Sequence, residues 1–386
     1  MALAHLRAAD RETCARLLRL DSGKMPCHSS MTGRRLARDD TTAHSGPAAG
    51  DDDRPPRGVK RIGRLTSVRK ERSQLRSRRY AILRTIEQLD PERDHQRIVH
   101  LSFGYEFPWD SIRALEIALY RTYCVPAISA LLDRTGEFHE NAQRRYDDTS
   151  ILIAEICEWG YEHGRGREAL DRINWAHGHY RIANEDFLYV LSTFIFEPVR
   201  WIDAVGWRPT CRNERLGYYC FWREVGRRMG IVDIPPSYEA FERWSRTYEQ
   251  QHFRFAESNQ RVGASTLALF ASWFPRVVTP VVRYGIYAML DERMIAAFGF
   301  PRPLPFTRSV LRRVLRLRGQ ALRWFPPRRE AHFFTDARNR THPDGYRLAA
   351  LGPPRLVAAE ARRRAHGSRD ADDNDVPFGD GGAGHA

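Results

Sequence analysis

At 386 residues, with 42% hydrophobic and 11% aromatic content, the chain can bury one large core plus appendages and is not disordered throughout. Its 62 lysines and arginines against 48 acids give +14, which calls for an anionic partner, phospholipid or nucleic acid. No helix-turn-helix, zinc-finger or RNP-type signature occurs and the basic runs lack interleaved aromatics, so no nucleic acid is expected.

The opening residues are interrupted by Arg7, Asp10, Arg11, Glu12, Arg16 and Arg19, which argues against a Sec-type signal. From about residue 21 to 57 bulky apolar residues are scarce, and Arg54 to Arg79 then holds 11 basic residues against one acid, Glu71. Residues 1–76 are therefore expected to be a disordered or targeting, basic N-terminal extension. Helical periodicity predicts elements over Ser77–Leu89, Trp109–Asp133, Thr149–Gly160, Asp171–Arg181, Glu185–Val205, Asn213–Met229 and an aromatic-faced stretch over Pro235–Gln260. Asn184 reads as a cap before Glu185, and Pro198 as a kink inside the apolar run. Arg302 to Arg329 carries nine arginines and no acid around an apolar stripe of Val310, Leu311, Val314, Leu315, Ala321, Leu322 and Phe325. Such a helix suits either an anionic membrane surface or a domain face with solvated arginines. No alternating strand pattern appears, so the fold class is all-α. A single helical domain is expected over 77–353 and a C-terminal tail over 354–386.

No run of roughly 18 uninterrupted apolar residues occurs, so a transmembrane helix is not expected. The six cysteines show no CxxC pairs and read as reduced thiols. Together these point to an intracellular protein, cytoplasmic or peripheral on a membrane through Arg54–Arg79 and Arg308–Arg329. P-loop, GxGxxG, GxSxG and HExxH patterns are absent, and His139 with Glu140 lacks a second histidine at zinc spacing.

Two constellations remain. In RINWAHGHYRIANEDF, His177 sits in a helical, largely apolar stretch, with Ile173 and Tyr180 on its face at helical spacing and His179 turned away. A neutral imidazole there can ligate iron or be an ordinary core histidine, and the residues alone leave both open. In RRYDDT, Arg145 and Thr149 stand four apart, so guanidinium and hydroxyl face one spot; a capped helix start with surface charges is the plain alternative. Glu197 and Arg200 read as a structural salt bridge.

The blocks RIVHLSFGYEFPWDSIRALEIALYRTYCVPAISALLDRTGEF, RRYDDTSILIAEICEWG and RINWAHGHYRIANEDFLYVLSTFIFEPVRW occur in this order, with weaker similarity running on to HPDGYRLAALGP. Together they resemble the MpaB-type ER-bound oxygenases and, more distantly, the rubber oxygenases or latex clearing proteins. The resemblance covers roughly Ser77 to Pro353. It implies an all-helical domain with a globin-like core that binds heme b, takes O2 as co-substrate and cleaves or oxidises a carbon–carbon double bond in an isoprenoid or other hydrophobic small molecule. Carried over, it implies His177 as the iron ligand, Arg145 and Thr149 as catalytic and heme-contacting residues, and Tyr180 beside the cofactor. The rubber oxygenases also use a glutamate upstream of that arginine; Glu137 is the available residue. The alternative is a non-enzymatic heme-binding helical protein at a membrane surface.

Overall fold

Asn184–Val205 is apolar on nearly every face, and an apolar helix of 22 residues is stable in water only when other helices surround it. A computed structural model of the protein describes residues 78–372, with side chains to residue 364. In chain order the helices are α1 (Ala81–Gln88), α2 (His95–His100), α3 (Pro108–Tyr123), α4 (Pro126–Thr135), α5 (Glu137–Glu140), α6 (Ala142–Trp159), α7 (Gly164–His177), α8 (Asn184–Val205), α9 (Arg212–Arg228), α10 (Tyr238–His252), α11 (Glu257–Ser272), α12 (Thr279–Met289), α13 (Glu292–Phe298), α14 (Pro305–Leu322) and α15 (Pro354–Asp372). Among the described residues there is no strand, and the fold is all-α. The expected extension over 1–76 and the end of the expected tail lie outside the described residues.

Helix α8 is the centre: α3, α9, α10 and α14 pack on it. On one side its Leu188, Leu191, Ile195 and Phe196 meet Ile151 and Ile156 of α6, Leu170 of α7, and Tyr218, Phe221 and Trp222 of α9 in one core. A second core joins Tyr120 and Tyr123 of α3 with α11, α12 and α13. Pro198 lies within α8, which continues through it to Val205. Asn184 does not cap α8; its side-chain amide pairs with both backbone groups of Val232, at 3.0 Å each, tying the helix start to the turn after α9.

Several expected elements differ in extent for identifiable reasons. Trp109–Asp133 is two helices bent by 99°, because Pro126 cannot continue the ladder of α3. By length and composition this bent pair resembles a broken membrane span, but α3 buries Asp110, Glu116, Tyr120 and Tyr123 in the core. No single helix among the described residues is long and apolar enough to cross a membrane. Pro235–Gln260 likewise divides at Phe253–Ala256. The stretch assigned to the tail opens as α15, and its Glu360 accepts from Arg172 of α7 at 2.8 Å. Four described cysteines, Cys124, Cys157, Cys211 and Cys220, are free thiols.

Buried charge fixes how the helices meet. Arg208 lies between Glu106 and Glu214, at 2.7 Å from each carboxylate, with all three nearly inaccessible. Burial pushes the Glu106 carboxyl up while the Arg208 guanidinium opposes that shift. Arg79, at the end of the basic run, stacks 3.5 Å over the Trp207 ring and pairs with Glu106, so this arginine is interior rather than surface charge. A second network gathers Glu197 of α8, Glu249 of α10 and Asp291 around Arg121 of α3, and Arg200 closes on Glu197 as the expected salt bridge at 2.5 Å.

The joint between α6 and α7 depends on glycine. Gly160 ends α6 at φ +77°, and a methyl group on Gly166 would stand 1.6 Å from the Gly160 carbonyl oxygen. Backbone cannot yield as a side-chain tip would, so only glycine lets α7 lie this close to α6. Gly166→Ala is expected to destabilise the domain by about 1–3 kcal/mol in urea unfolding, the usual cost of forced overpacking. Arg208→Met leaves buried Glu214 without its ion-pair partner and Glu106 with Arg79 alone, and is expected to cost about 3–5 kcal/mol by the same measurement.

Candidate active site

Helix α6 begins at Ala142, seven residues before the sequence pattern suggests, so RRYDDT lies on the first turns of a helix rather than ahead of it. Its acids are not surface charges. Asp147 and Asp148 are 2% and 3% exposed, and both reach across to the segment 339–352. Asp147 accepts from the backbone and hydroxyl of Thr341 at 3.1 and 2.5 Å; Asp148 accepts from His342 at 2.7 Å and from the Gly352 backbone N–H at 2.9 Å. Arg144 donates to the Ala350 carbonyl, Arg172 to that of Leu351, and the Tyr346 hydroxyl to Glu155. This segment is a strap laid over α6 and α7.

The adjacent positions on α6 face elsewhere. The Arg145 guanidinium donates to the Thr149 hydroxyl, which in turn donates to the Arg145 carbonyl at 2.9 Å. The hydroxyl thus fixes the arginine against its own helix. Gly136, in the left-handed region at φ +72°, reverses the chain between α4 and α5 and brings Phe138 to 5.6 Å from the guanidinium carbon. It also places Glu137 in the interior, 6% exposed and accepting from Asn141 at 3.2 Å.

His177 is the last residue of α7, not a mid-helix residue as the periodicity implies. Tyr180 therefore reaches the same region through a turn, its N–H donating to the His177 carbonyl at 3.0 Å, instead of sharing a helical face. His179 turns outward and bonds the Trp175 carbonyl at 2.8 Å, as its spacing implies. The imidazole of His177 meets the Phe187 ring edge-on at 5.2 Å. Its outer edge is partly accessible, but its Nδ1 is buried and has no hydrogen-bond partner. Burial, helped by the positive charge of Arg145, pushes its pKa down to about 4. The ring is thus neutral at pH 7 with an unused lone pair. Burial raises the Tyr180 phenol; Arg145 opposes this and Glu137 adds to it.

Arg145, Thr149, His177 and Tyr180 are therefore neighbours, with Glu137 within electrostatic reach. Sequence periodicity supplied each position but not the helix end at His177 or the strap behind α6. Helices α3 and α8 pack directly on each other. A surface cleft on the strap, lined by His342, Asp344, Tyr346 and Arg347, includes none of the four residues. Among the described residues no group of three His, Cys, Asp or Glu side chains could hold a bare metal ion.

Comparison with known proteins points to one family. Residues 113–324, more than half the chain, match the model described as ER-bound oxygenase mpaB/B'/Rubber oxygenase, catalytic domain, a span that includes all four residues but not the strap. The chain is 30% identical over 244 residues to the ER-bound oxygenase mpaB' of Penicillium brevicompactum, covering 58% of this chain and 58% of that protein. It is 33% identical over 207 residues to the ER-bound oxygenase mpaB of Penicillium roqueforti (strain FM164), covering 49% of this chain and 70% of that protein. A second Penicillium brevicompactum protein, ER-bound oxygenase mpaB, is 31% identical over 43% of this chain and 47% of its own length. The match to the first of these relatives spans less than two thirds of its length. On the span of the family match and these identities, the chain belongs to the mpaB/B' and rubber oxygenase catalytic-domain family.

Proposed function

We propose that this protein is a heme b-dependent oxygenase that uses O2 to cleave or oxidise a carbon–carbon double bond in an isoprenoid or similar unsaturated, apolar substrate. The observation that carries the reading is His177, a neutral imidazole whose buried Nδ1 has no partner. An orphaned buried nitrogen costs stability and calls for a ligand or an acceptor that the folded chain does not itself provide. The relatives, named as oxygenases, supply the class of reaction.

The residues fit heme. His177 offers a lone pair that is not lost to protonation at physiological pH. Arg145, held in one orientation by Thr149, offers a fixed guanidinium suited to a carboxylate of the porphyrin rim. Phe187 covers one side of the imidazole and limits water around it. Tyr180 keeps its phenolic proton and can donate it in a hydrogen bond. Heme, when bound, supplies the iron that carries the O2 chemistry. The chain's part is to ligate, to orient and to keep the surroundings apolar.

Protein produced with ample heme is expected to show a Soret band that His177→Ala removes, and to yield aldehyde or ketone fragments from prenylated lipids under O2 by mass spectrometry. A folded chain without the band, or a band unchanged in His177→Ala, would sink the heme assignment; a normal band without O2-dependent products would favour a heme carrier instead. Arg145→Ala should weaken heme binding on the order of tenfold to a hundredfold in titration, the worth of one charge-assisted hydrogen bond.

A further expectation concerns the heme-free protein. The folded-state pKa of His177, about 4, lies below the unfolded value of 6.5, so the unfolded chain binds this proton first as pH falls. Stability tied to His177 is thus intact above pH 6.5 and is lost between 6.5 and 4, by roughly 2–3 kcal/mol with allowance for the partly accessible ring edge. In urea unfolding at stepped pH, His177→Gln should flatten that segment of the profile.

A further inference from the structure

Helix α14 is apolar on two sides. One side packs inward: Leu315 and Gly319 are buried, Leu322 joins the Phe107–Trp207 cluster, and Arg318 stacks 3.6 Å over Trp109 while pairing with Asp110. This accounts for part of the stripe expected from the sequence, and Gly319 is close enough to the Val205 and Gly206 carbonyls that any larger residue would push the helix away. The other side faces solvent. Phe306, Val310, Val314, Leu317 and Trp324 recur at intervals of four, four, three and seven, a single line along the helix and its closing turn. They are 65%, 53%, 44%, 63% and 76% exposed.

Isolated exposed apolar residues are ordinary, but these are concentrated. Of the 13 large hydrophobic residues exposed among the described residues, ten lie between Val277 and Phe325. The exposed Val281 belongs to α12, which packs against α14. The charge around the line has one sign. Residues 302–329 hold nine arginines and no acid. Arg308, Arg316, Arg318 and Arg323 are engaged with protein groups, whereas Arg313, which flanks the line, makes no ion pair among the described residues.

We propose that the outer face of α14 is a membrane-docking surface, which inserts Phe306, Val310, Val314, Leu317 and Trp324 into the interface of an anionic phospholipid bilayer while Arg313 meets its headgroups. An apolar line flanked by an unpaired arginine, in a segment of nine arginines and no acid, has the two features that interfacial helices use, apolar area to bury and attraction to anionic lipid. A protein partner complementary to this face would need to be acidic and apolar at once, and a second copy of the chain would set arginine against arginine. The inference does not depend on heme or on the reaction.

The test is co-sedimentation of the full-length protein with phosphatidylcholine vesicles prepared with and without phosphatidylserine. The wild-type chain should bind the phosphatidylserine vesicles more tightly. Phe306→Asp with Leu317→Asp, both exposed and hence tolerated by the fold, should reduce that binding on the order of tenfold or more. Arg313→Glu should reduce it several-fold, on the order of fivefold to tenfold, and narrow the difference between the two vesicle types. Because every variant retains the basic segment Arg54–Arg79, a loss is attributable to α14. Brominated lipid should quench wild-type tryptophan emission more than that of Trp324→Phe. Wild-type binding to neither vesicle, or variants that bind as wild type does, would overturn the proposal. It would also fall if the Asp substitutions changed only self-association, seen as a shift in sedimentation coefficient with vesicle binding intact.

Discussion

The approach of α7 to α6 at Gly166 is the contact on which the site depends. A carbonyl oxygen of the turn occupies the place where any other residue would carry its first side-chain carbon, so the start of α7 is set by backbone against backbone. Such a contact has no rotamers to relax through, and an error there propagates along the rest of the rigid helix to His177. Leu170 buried on the same helix, Arg172 stacked on Trp175, and the link to Glu360 keep the remaining length in register. His177 comes to lie beside Arg145 because both helices are fixed at their joint, not because either residue is drawn to the other.

The same chain shows what a sequence reveals and what it withholds. Periodicity exposed α8 and α9, whose apolar residues are repeated often enough to declare a helix, and the linked motifs placed Arg145, Thr149 and His177 in one family. The bend at Pro126 has its proline in plain view, but the apolar pattern continues on both sides of it and reads as one helix. Other features have no local signature. Asp147 and Asp148 look like surface charges until residues 339–352 are folded over them, and Arg79 looks like one more member of a basic run until Trp207 and Glu106 are seen beneath it. Each depends on a partner far away in the chain, and pattern reading extends only a turn or two. Asn184 failed for the opposite reason: a residue of the correct type stood at the correct place, and a long-range pair with Val232 took it.

Charge in this molecule performs two separate tasks. The clusters around Arg208 and Arg121 are inside, where each guanidinium answers at least two carboxylates, and they set the angles between helices that apolar packing alone leaves adjustable. On α14 the arginines outnumber every available acid and the apolar residues share the outside with them. One family match, over residues 113–324, contains both the site helices and the exposed helix.

The strap has a consequence for the order in which the molecule comes into being. Asp147 is 194 positions from Thr341, its partner, and Asp148 is 204 from Gly352. During synthesis α6 emerges long before either partner does, and domains assemble as their chain is delivered. Until the strap arrives, the two aspartates have to stay in water, which holds that face of α6 open. Burial of that face of α6 is thus deferred until residues 339–352 have been made, so the strap side is the last of its faces to be covered.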